Sequence, residues 1–324
     1  MATIKEIAEL AKVSPATVSR VLNQDETLVV TPEVRNLVFK IAHDLKYVPP
    51  KMRHVKKNRQ LVIGVADWHL VKEAGLDVRL ESLDYSVAKL SMDVDIRFEH
   101  LRYDEAKQVD GIIGFGSFSE EEMNFLRRQS YCMLFVNSNK RDYEFDQIVM
   151  DYDQGVMDLV EYLITDKQYR SIGYIGGIYQ DDRVKIGVNR LRSLEEILKE
   201  KDFYKEEHFW VGELSRESGK QLAENMIASG DIPEVIVLGS EEIAEGVIEV
   251  IKEHDYRIPK DVAVIIYRDI ETSKTPYVTY TSLEMLPDIV WTTAIKLLLE
   301  QVMEGRKDTM KVYLPTRLKI GDSA

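Results

Sequence analysis

A single cysteine, Cys132, in 324 residues excludes an intramolecular disulfide and any zinc site built on clustered cysteines. The six histidines are scattered, with no pair at the helical spacing of a ligand set, so neither a structural metal nor a cofactor is expected. No run of about 18 apolar residues occurs. The opening stretch puts Lys5, Glu6 and Glu9 where an export signal would need unbroken apolar residues, so a cytoplasmic location is expected and a membrane partner is not. Phosphate loops are missing as well. Gly114-Phe115-Gly116 is a lone Gly-x-Gly, and neither a Walker loop nor a Gly-x-Ser-x-Gly elbow occurs. The carboxylate pairs Asp93/Asp95 and Asp151/Asp153 stand at strand or turn spacing with no partner acid implied. Catalysis is not expected.

What is present is an ordinary globular composition, 44% hydrophobic and 31% charged, in a chain long enough for two or three compact units. Basic residues number 43 against 56 acidic ones, net −13. The excess is unevenly spread. Residues 1–60 hold 11 Lys/Arg against 6 Asp/Glu, about +5, which leaves 32 against 50, about −18, for the rest. Such asymmetry is the footprint of a small nucleic-acid-binding head on a body that repels phosphate, or else of a solvated basic face.

The pattern within the first 60 residues favours the head. Ile4, Ile7, Ala8 and Ala11 recur at helical spacing, and Val13 closes the turn that follows. Ser14 is a good N-cap and Pro15 suits the first helical position, so a second helix runs through Val18, Val21 and Leu22. Small Ala8 and Val18 allow the close crossing of a helix-turn-helix. A third helix fits Pro32 to Leu45, with Val34, Leu37, Val38, Ile41 and Leu45 as its core stripe. In that geometry Pro15, Ala16 and Arg20 are the candidates for reading base edges. Arg20 offers the bidentate fork that suits guanine, and Pro15 and Ala16 offer apolar contact. Thr3, Ser14, Thr17, Ser19 and Asn23 carry short polar groups suited to phosphates.

From Leu61 onward, strand-like runs at Leu61–Ala66, Val94–Phe98, Gly111–Phe115, Tyr131–Val136, Ser171–Ile175, Glu234–Leu238 and Val262–Tyr267 alternate with amphipathic stretches. The latter include Ser119–Arg128, Gln154–Thr165, Ser218–Ala228 and Glu242–His254. This alternation predicts βαβ units and parallel sheets, an α/β body behind a small all-α head. The segment between Phe98 and Gly111 is short for a helical crossover.

The strings from Ala2 to Ala8 and from Val13 to Asn23, with Tyr47-Val48-Pro49, Val109 to Ile113, Asp146 to Asp151, Ile172 to Gly177 and Ile258 to Val262, resemble the lactose/galactose repressor family of bacterial transcription regulators. Within it, Asp25-Glu26-Thr27-Leu28 and Tyr267-Arg268-Asp269-Ile270 look most like repressors of galactose or β-galactoside genes. The resemblance implies a head with hinge over residues 1–59 and, over 60–324, a two-lobed body like that of periplasmic sugar-binding proteins, which binds effector and dimerises. A homodimer would grip a palindromic operator in double-stranded DNA, and a sugar effector held between the lobes would alter the distance between the heads.

The same resemblance implies a hinge helix that wedges a leucine into the minor groove. Here that stretch reads Arg53-His54-Val55-Lys56 and the leucine is missing. Met52 or Val55 can substitute as wedge, or Arg53 and Lys56, with Lys51, Lys57 and Arg59, serve as a basic linker along phosphates. Lys12 stands where the family often has the glycine of its turn, which asks strain of a non-glycine residue. Asp77-Val78-Arg79 departs from the family's Asp-Pro-aromatic.

For the effector, the resemblance assigns Arg190 in the Arg190-x-x-Ser193-Leu194 segment, whose other reading is a surface arginine paired with Glu195 or Glu196. Asp67 and Asn137 fall just after strands, and Trp68 is a candidate stacking surface for a sugar ring. Ser240-Glu241 replaces the family's Asn-Asp, and Arg268, followed by Asp269, replaces its sugar-binding aspartate. Arg190 and Arg268 together would suit a carboxylate or phosphate effector, unless Glu241 or Asp269 neutralises Arg268. Ser240, Arg268 and Asp269 complete the candidate set. A sugar-binding protein without a regulatory role is the alternative from another class.

Overall fold

The computed structural model describes residues 3–23, 25, 27–45, 47, 59–67, 80, 83–84, 86–88, 90, 94–102, 107–138, 144–180, 185–268 and 279–324. The chain divides into two compact units, residues 1–149 with 288–312 and residues 150–287 with 313–324.

The first unit begins with three helices: α1 Ile4–Ala11, α2 Pro15–Leu22 and α3 Pro32–Asp44. Each begins where a hydroxyl cap meets orphan amides. Thr3 Oγ1 accepts from the Glu6 amide at 3.2 Å while the Glu6 carboxylate accepts from the Thr3 amide at 2.7 Å, a reciprocal capping box. Ser14 Oγ accepts from the Thr17 amide at 3.0 Å, and Pro15 fills the first helical position of α2. Lys12 ends α1 in the left-handed region, φ 54°. A lysine there takes up the conformation that glycine adopts at less cost.

The head's core joins Ile7, Ala8, Ala11, Val18, Val21, Leu22, Val38, Phe39, Ile41 and Ala42, with Tyr47 following α3. The expected stripe of α3 is corrected at one position: Leu37 is exposed and Phe39 is buried. The reason is a second contact. The end of α3 packs on the sheet-bearing part of the same unit, so the buried arc of the helix turns toward two surfaces rather than one.

That part contains β1 Leu61–Asp67, β2 Ile96–His100, β3 Gly111–Phe115, α4 Glu120–Gln129, β4 Met133–Val136 and β5 Asp146–Asp151. The second unit follows with α5 Tyr152–Glu161, continued by a π turn, then β6 Ile172–Gly177, the two-residue strands β7 Tyr179–Gln180 and β8 Lys185–Ile186, and α6 Val188–Glu200. After these come β9 Phe209–Gly212, α7 Arg216–Ser229, β10 Val235–Leu238, α8 Glu241–Glu253, β11 Ala263–Arg268 and β12 Ser282–Glu284. The chain returns to the first unit with α9 Pro287–Leu299 and closes with β13 Lys311–Pro315 and β14 Arg317–Lys319.

Two six-stranded sheets result, ordered β13-β5-β4-β3-β1-β2 and β14-β12-β11-β10-β6-β9. Pairings among β1 to β5 and among β6, β9, β10, β11 and β12 are parallel, and β12–β14 is antiparallel. Among the described residues no helix lies between His100 and Gly111.

Strand β5 opens on a fully buried ion-pair partner. Arg306 forks onto the Asp146 carboxylate, which also accepts from the Met310 amide at 2.9 Å. In the second unit the core gathers residues of β6, α7, β10, α8 and β11. Helices α7 and α8 cross at Gly246, where a β-carbon would lie 2.1 Å from the Arg216 carbonyl oxygen and 2.7 Å from the Lys220 nitrogen. Both obstacles are backbone. Gly246→Ala is therefore expected to destabilise this unit by about 1–3 kcal/mol through overpacking, read as a lowered midpoint in denaturant unfolding, and an unchanged midpoint would refute the crossing.

Candidate nucleic-acid interface and effector residues

Capping and burial sort the residues of α2 into two faces. Val18, Val21 and Leu22 face the core, while Ser14, Pro15, Ala16, Arg20 and Asn23 are exposed and Thr17 and Ser19 are half-buried. Pro15 and Ala16 stand at the positive end of the helix, which suits approach to an anionic backbone, and Arg20 extends the exposed face from its last turn. Several expected phosphate ligands already hold local duties. Thr3 and Ser14 are caps, Ser14 and Thr17 share a 2.8 Å hydroxyl hydrogen bond, and Asn23 Nδ2 donates to the Ser19 carbonyl at 2.8 Å.

Arg20 is exposed but engaged. Its Nε donates to Asp25 Oδ2 at 2.7 Å and its Nη2 to Thr27 Oγ1 at 2.8 Å. That hydrogen bond from Arg20 is the main reason the Asp25 carboxyl is held down at about 2. Arg59, expected along phosphates, instead forks onto Asp110, because the half-buried carboxylate next to β3 needs a cation. Met52, Arg53, Val55 and Lys56 lie outside the described residues, as do Lys51, Lys57 and Asp77-Val78-Arg79.

The end of α3 meets the lobe through His43. Its Nε2 lies 3.2 Å from the Arg127 carbonyl oxygen, which only accepts, so Nε2 carries the proton. The ring stacks on Tyr131, centroids 5.5 Å apart, and meets Phe145 edge-on. Two turns earlier on α3, Asn36 Oδ1 accepts from Arg128 at 2.8 Å. Burial pushes the His43 imidazole down to about 4. Arg127 itself is held by Glu120 and Glu144, each at 2.9 Å. Cys132, close by, is an unreactive thiol pushed up to about 12, chiefly by burial.

In open parallel sheets, ligands bind at strand carboxyl ends where the strand order reverses. In the first unit the reversal falls between β1 and β3, and the buried Asp67 ends β1 opposite Phe115. Asn137 follows β4 in the left-handed region, φ 56°, with its amide donating to the Ile148 carbonyl at 2.8 Å. Trp68 lies outside the described residues.

In the second unit the reversal falls between β6 and β10, and the residues after β10 are Gly239 and Ser240. Arg190 comes to that point. Its Nη1 donates to the Gly239 carbonyl at 2.9 Å, its Nε donates to Tyr152 Oη at 3.4 Å, and its guanidinium lies 5.5 and 5.8 Å from the ring centroids of Tyr152 and Tyr267. It is buried, so it is not the surface arginine of the other reading. Glu195 accepts from Tyr204, and Glu196 stands near Arg192. Gly187, φ 87°, starts α6 hard against the Gly177 carbonyl, which sets Arg190 one turn in.

Ser240 is buried and caps α8 through the Ile243 amide at 3.2 Å. Arg268, 3% exposed, donates to Glu241 at 3.3 Å and to Glu284 at 2.9 Å. Asp269 lies outside the described residues. Sequence reasoning missed Tyr152 and Tyr267 beside Arg190 and Glu284 beside Arg268. Position at a strand end is the signal that could have found the first two. Leu214 packs on the second unit's core.

A capped helix-turn-helix ahead of two parallel-sheet lobes defines the class: a DNA-binding regulator with a body of the periplasmic-binding type. Comparison agrees. Residues 3–50 match the model described as bacterial regulatory proteins, lacI family, and residues 160–324 match that of the periplasmic binding protein-like domain. The chain is 29% identical to the transcriptional repressor MelR of Bacillus subtilis, over 100% of this chain and 97% of that protein. Two solved structures share the fold at 19% identity. A transcriptional regulator CelR–cellobiose complex has TM-score 0.64 with 100% of each chain covered, and a lac repressor dimer bound to operator and the anti-inducer ONPF has TM-score 0.61 over 99% of this chain and 98% of that one. The chain belongs to the lactose/galactose repressor family of bacterial transcription regulators. It is a transcriptional repressor and not an enzyme. Among the described residues no helix is long and apolar enough to cross a membrane.

Proposed function

We propose that the protein is a dimeric repressor in which residues 1–59 read a palindromic operator and residues 60–324 bind a neutral sugar, galactose or a galactoside, that alters operator affinity. Pro15, Ala16 and Arg20 read base edges, and Thr3, Ser14, Thr17, Ser19 and Asn23 line phosphates. The hinge residues Met52, Arg53, Val55 and Lys56 follow the backbone. Asp67, Trp68, Asn137, Arg190, Ser240, Arg268 and Asp269 are the effector residues.

The observation that carries the neutral effector is the pairing of Arg268. Two carboxylates, Glu241 and Glu284, hold its guanidinium, so a bound anion would have to compete with negative charge already in place there. Arg190, set at the strand ends beside Tyr152 and Tyr267, is the polar donor this reading assigns to a sugar hydroxyl. The relative captured with cellobiose and the one captured as a dimer on operator support the sugar class and the dimer.

Regulation requires unequal affinity of the effector for the operator-competent and operator-released states. Titration of operator binding against galactose, galactosides and sugar phosphates at one salt concentration tests this reading. A shift with a galactose-containing sugar is expected. A response to sugar phosphates alone, or to none of the panel with DNA binding intact, would overturn the neutral-sugar assignment.

A further inference from the structure

We infer that Asp25 and Thr27 are positioning residues for base reading: together they hold one edge of the Arg20 guanidinium and so present the other to the groove. The inference rests on the reading of Arg20 proposed above.

The hydrogen bonds make a closed circuit. Arg20 Nε donates to Asp25 Oδ2 at 2.7 Å and Nη2 to Thr27 Oγ1 at 2.8 Å. The Thr27 hydroxyl, an acceptor toward Arg20, donates its own proton to Asp25 Oδ1 at 2.6 Å, and the Thr27 amide donates to the same oxygen at 2.9 Å. The loop is also folded back by its main chain, the Asp25 amide donating to the Arg20 carbonyl at 3.0 Å.

A guanidinium has two usable edges. The side edge, Nε–H with one Nη2–H, is the one occupied here. The end edge, Nη1–H with the second Nη2–H, has the spacing that matches guanine O6 and N7. An unrestrained arginine must lose several rotamers when it meets a base. In this head that ordering is completed on folding.

Asp25 stands beside the reading face and works against general phosphate attraction, so the device raises selectivity rather than overall affinity. Its carboxyl, held low by Arg20, stays ionised at any working pH.

The test is a double-mutant cycle in the full-length chain. The probes are a duplex selected by this protein from a randomised pool and a scrambled duplex of equal length, at one salt concentration. Asp25→Ala is expected to lower the ratio of selected to scrambled affinity about tenfold, with scrambled binding unchanged or tighter. In the Arg20→Ala background the same substitution should leave the ratio where it is.

Asp25→Asn keeps one acceptor for the Thr27 amide and holds the loop should alanine unfold it. It is expected to lower the ratio by a smaller factor. An equal drop from Asp25→Ala in both backgrounds would overturn the inference, since Asp25 would then merely support the loop. An unchanged or raised ratio in the parent background would overturn it too, because Asp25 would then compete with DNA for the arginine. If Arg20→Ala itself leaves the ratio intact, the reading of Arg20 fails first, and that result is separable from the others.

Discussion

Replacing Arg20 with alanine is expected to abolish most operator selectivity while leaving effector binding intact. A bidentate arginine–guanine contact discriminates by about 1–3 kcal/mol, and in a two-headed complex the loss falls twice, so affinity for a symmetric operator should fall by about 2–6 kcal/mol. The truncation adds a smaller cost, since it leaves Asp25 without its cation. That cost is slight, because both side chains are well exposed to water. The measurement is fluorescence anisotropy on selected and scrambled duplexes, alongside calorimetric titration with the active sugar. Loss of both activities would mean misfolding, and retention of selectivity would mean that Pro15 and Ala16 read the site by shape and methyl contact alone.

The second large effect is acid undocking of the head. His43 is neutral and buried between α3 and the lobe, with its imidazole depressed to about 4. A depressed base contributes docking stability that is complete above its free pKa of about 6.5 and declines as pH falls toward 4, because only the undocked ring can take up a proton. Linkage puts the loss at about 2 kcal/mol by about pH 5. The charged groups around the ring are Arg127, itself held by Glu120 and Glu144, and the neighbouring Asp44, which burial pushes up. Amide hydrogen exchange over residues 36–44 and 127–131, corrected for its intrinsic pH dependence, should show falling protection below about pH 6.5. His43→Gln keeps a donor for the Arg127 carbonyl and cannot titrate, so it should flatten the profile. Identical profiles for the two proteins would contradict the assignment.

Much of this was legible in order of locality. The cap at Ser14, with Pro15 after it, acts within three residues of itself and marked the start of the second helix; Thr3 and Thr31 cap the other two helices in the same local way. The seven expected strands all exist, and most of them are parallel strands buried on both faces, which write themselves as apolar runs; β2, at a sheet edge, is the exception. What escaped depends on partners far along the chain. Strand β5 begins with Asp146 and Gln147, both buried and polar, and Asp146 is made tolerable by Arg306, 160 positions away. Strand β9 is half-exposed at a sheet edge, so its pattern is diluted. The exposure of Leu37 and burial of Phe39 follow from a docking surface that no helical periodicity encodes. Arg268 is open in the sequence between a cation for an anionic effector and one neutralised by Glu241 or Asp269; Glu241 does pair with it, while its second partner, Glu284, becomes a neighbour only when β12 pairs with β11. The Arg20–Asp25 pair, five residues apart, lies within local reach, yet in the sequence Asp25 carries only a subgroup resemblance.

The chain passes between its two units three times, at residues 149–150, 287–288 and 312–313. The first unit's buried surface includes Trp291, whose ring lies 6.1 Å from that of Phe115, and Leu298, which fills the space beside Gly111. During synthesis, therefore, the lobe translated first is the one that must wait: its sheet emerges from the ribosome without α9 and with Asp146 lacking its counterion, while nearly all of the later lobe is made in between. A gene fragment stopping at residue 149 would encode an unfinished surface prone to aggregate, and co-expression of the remaining segment in trans is what such a fragment would need to become soluble.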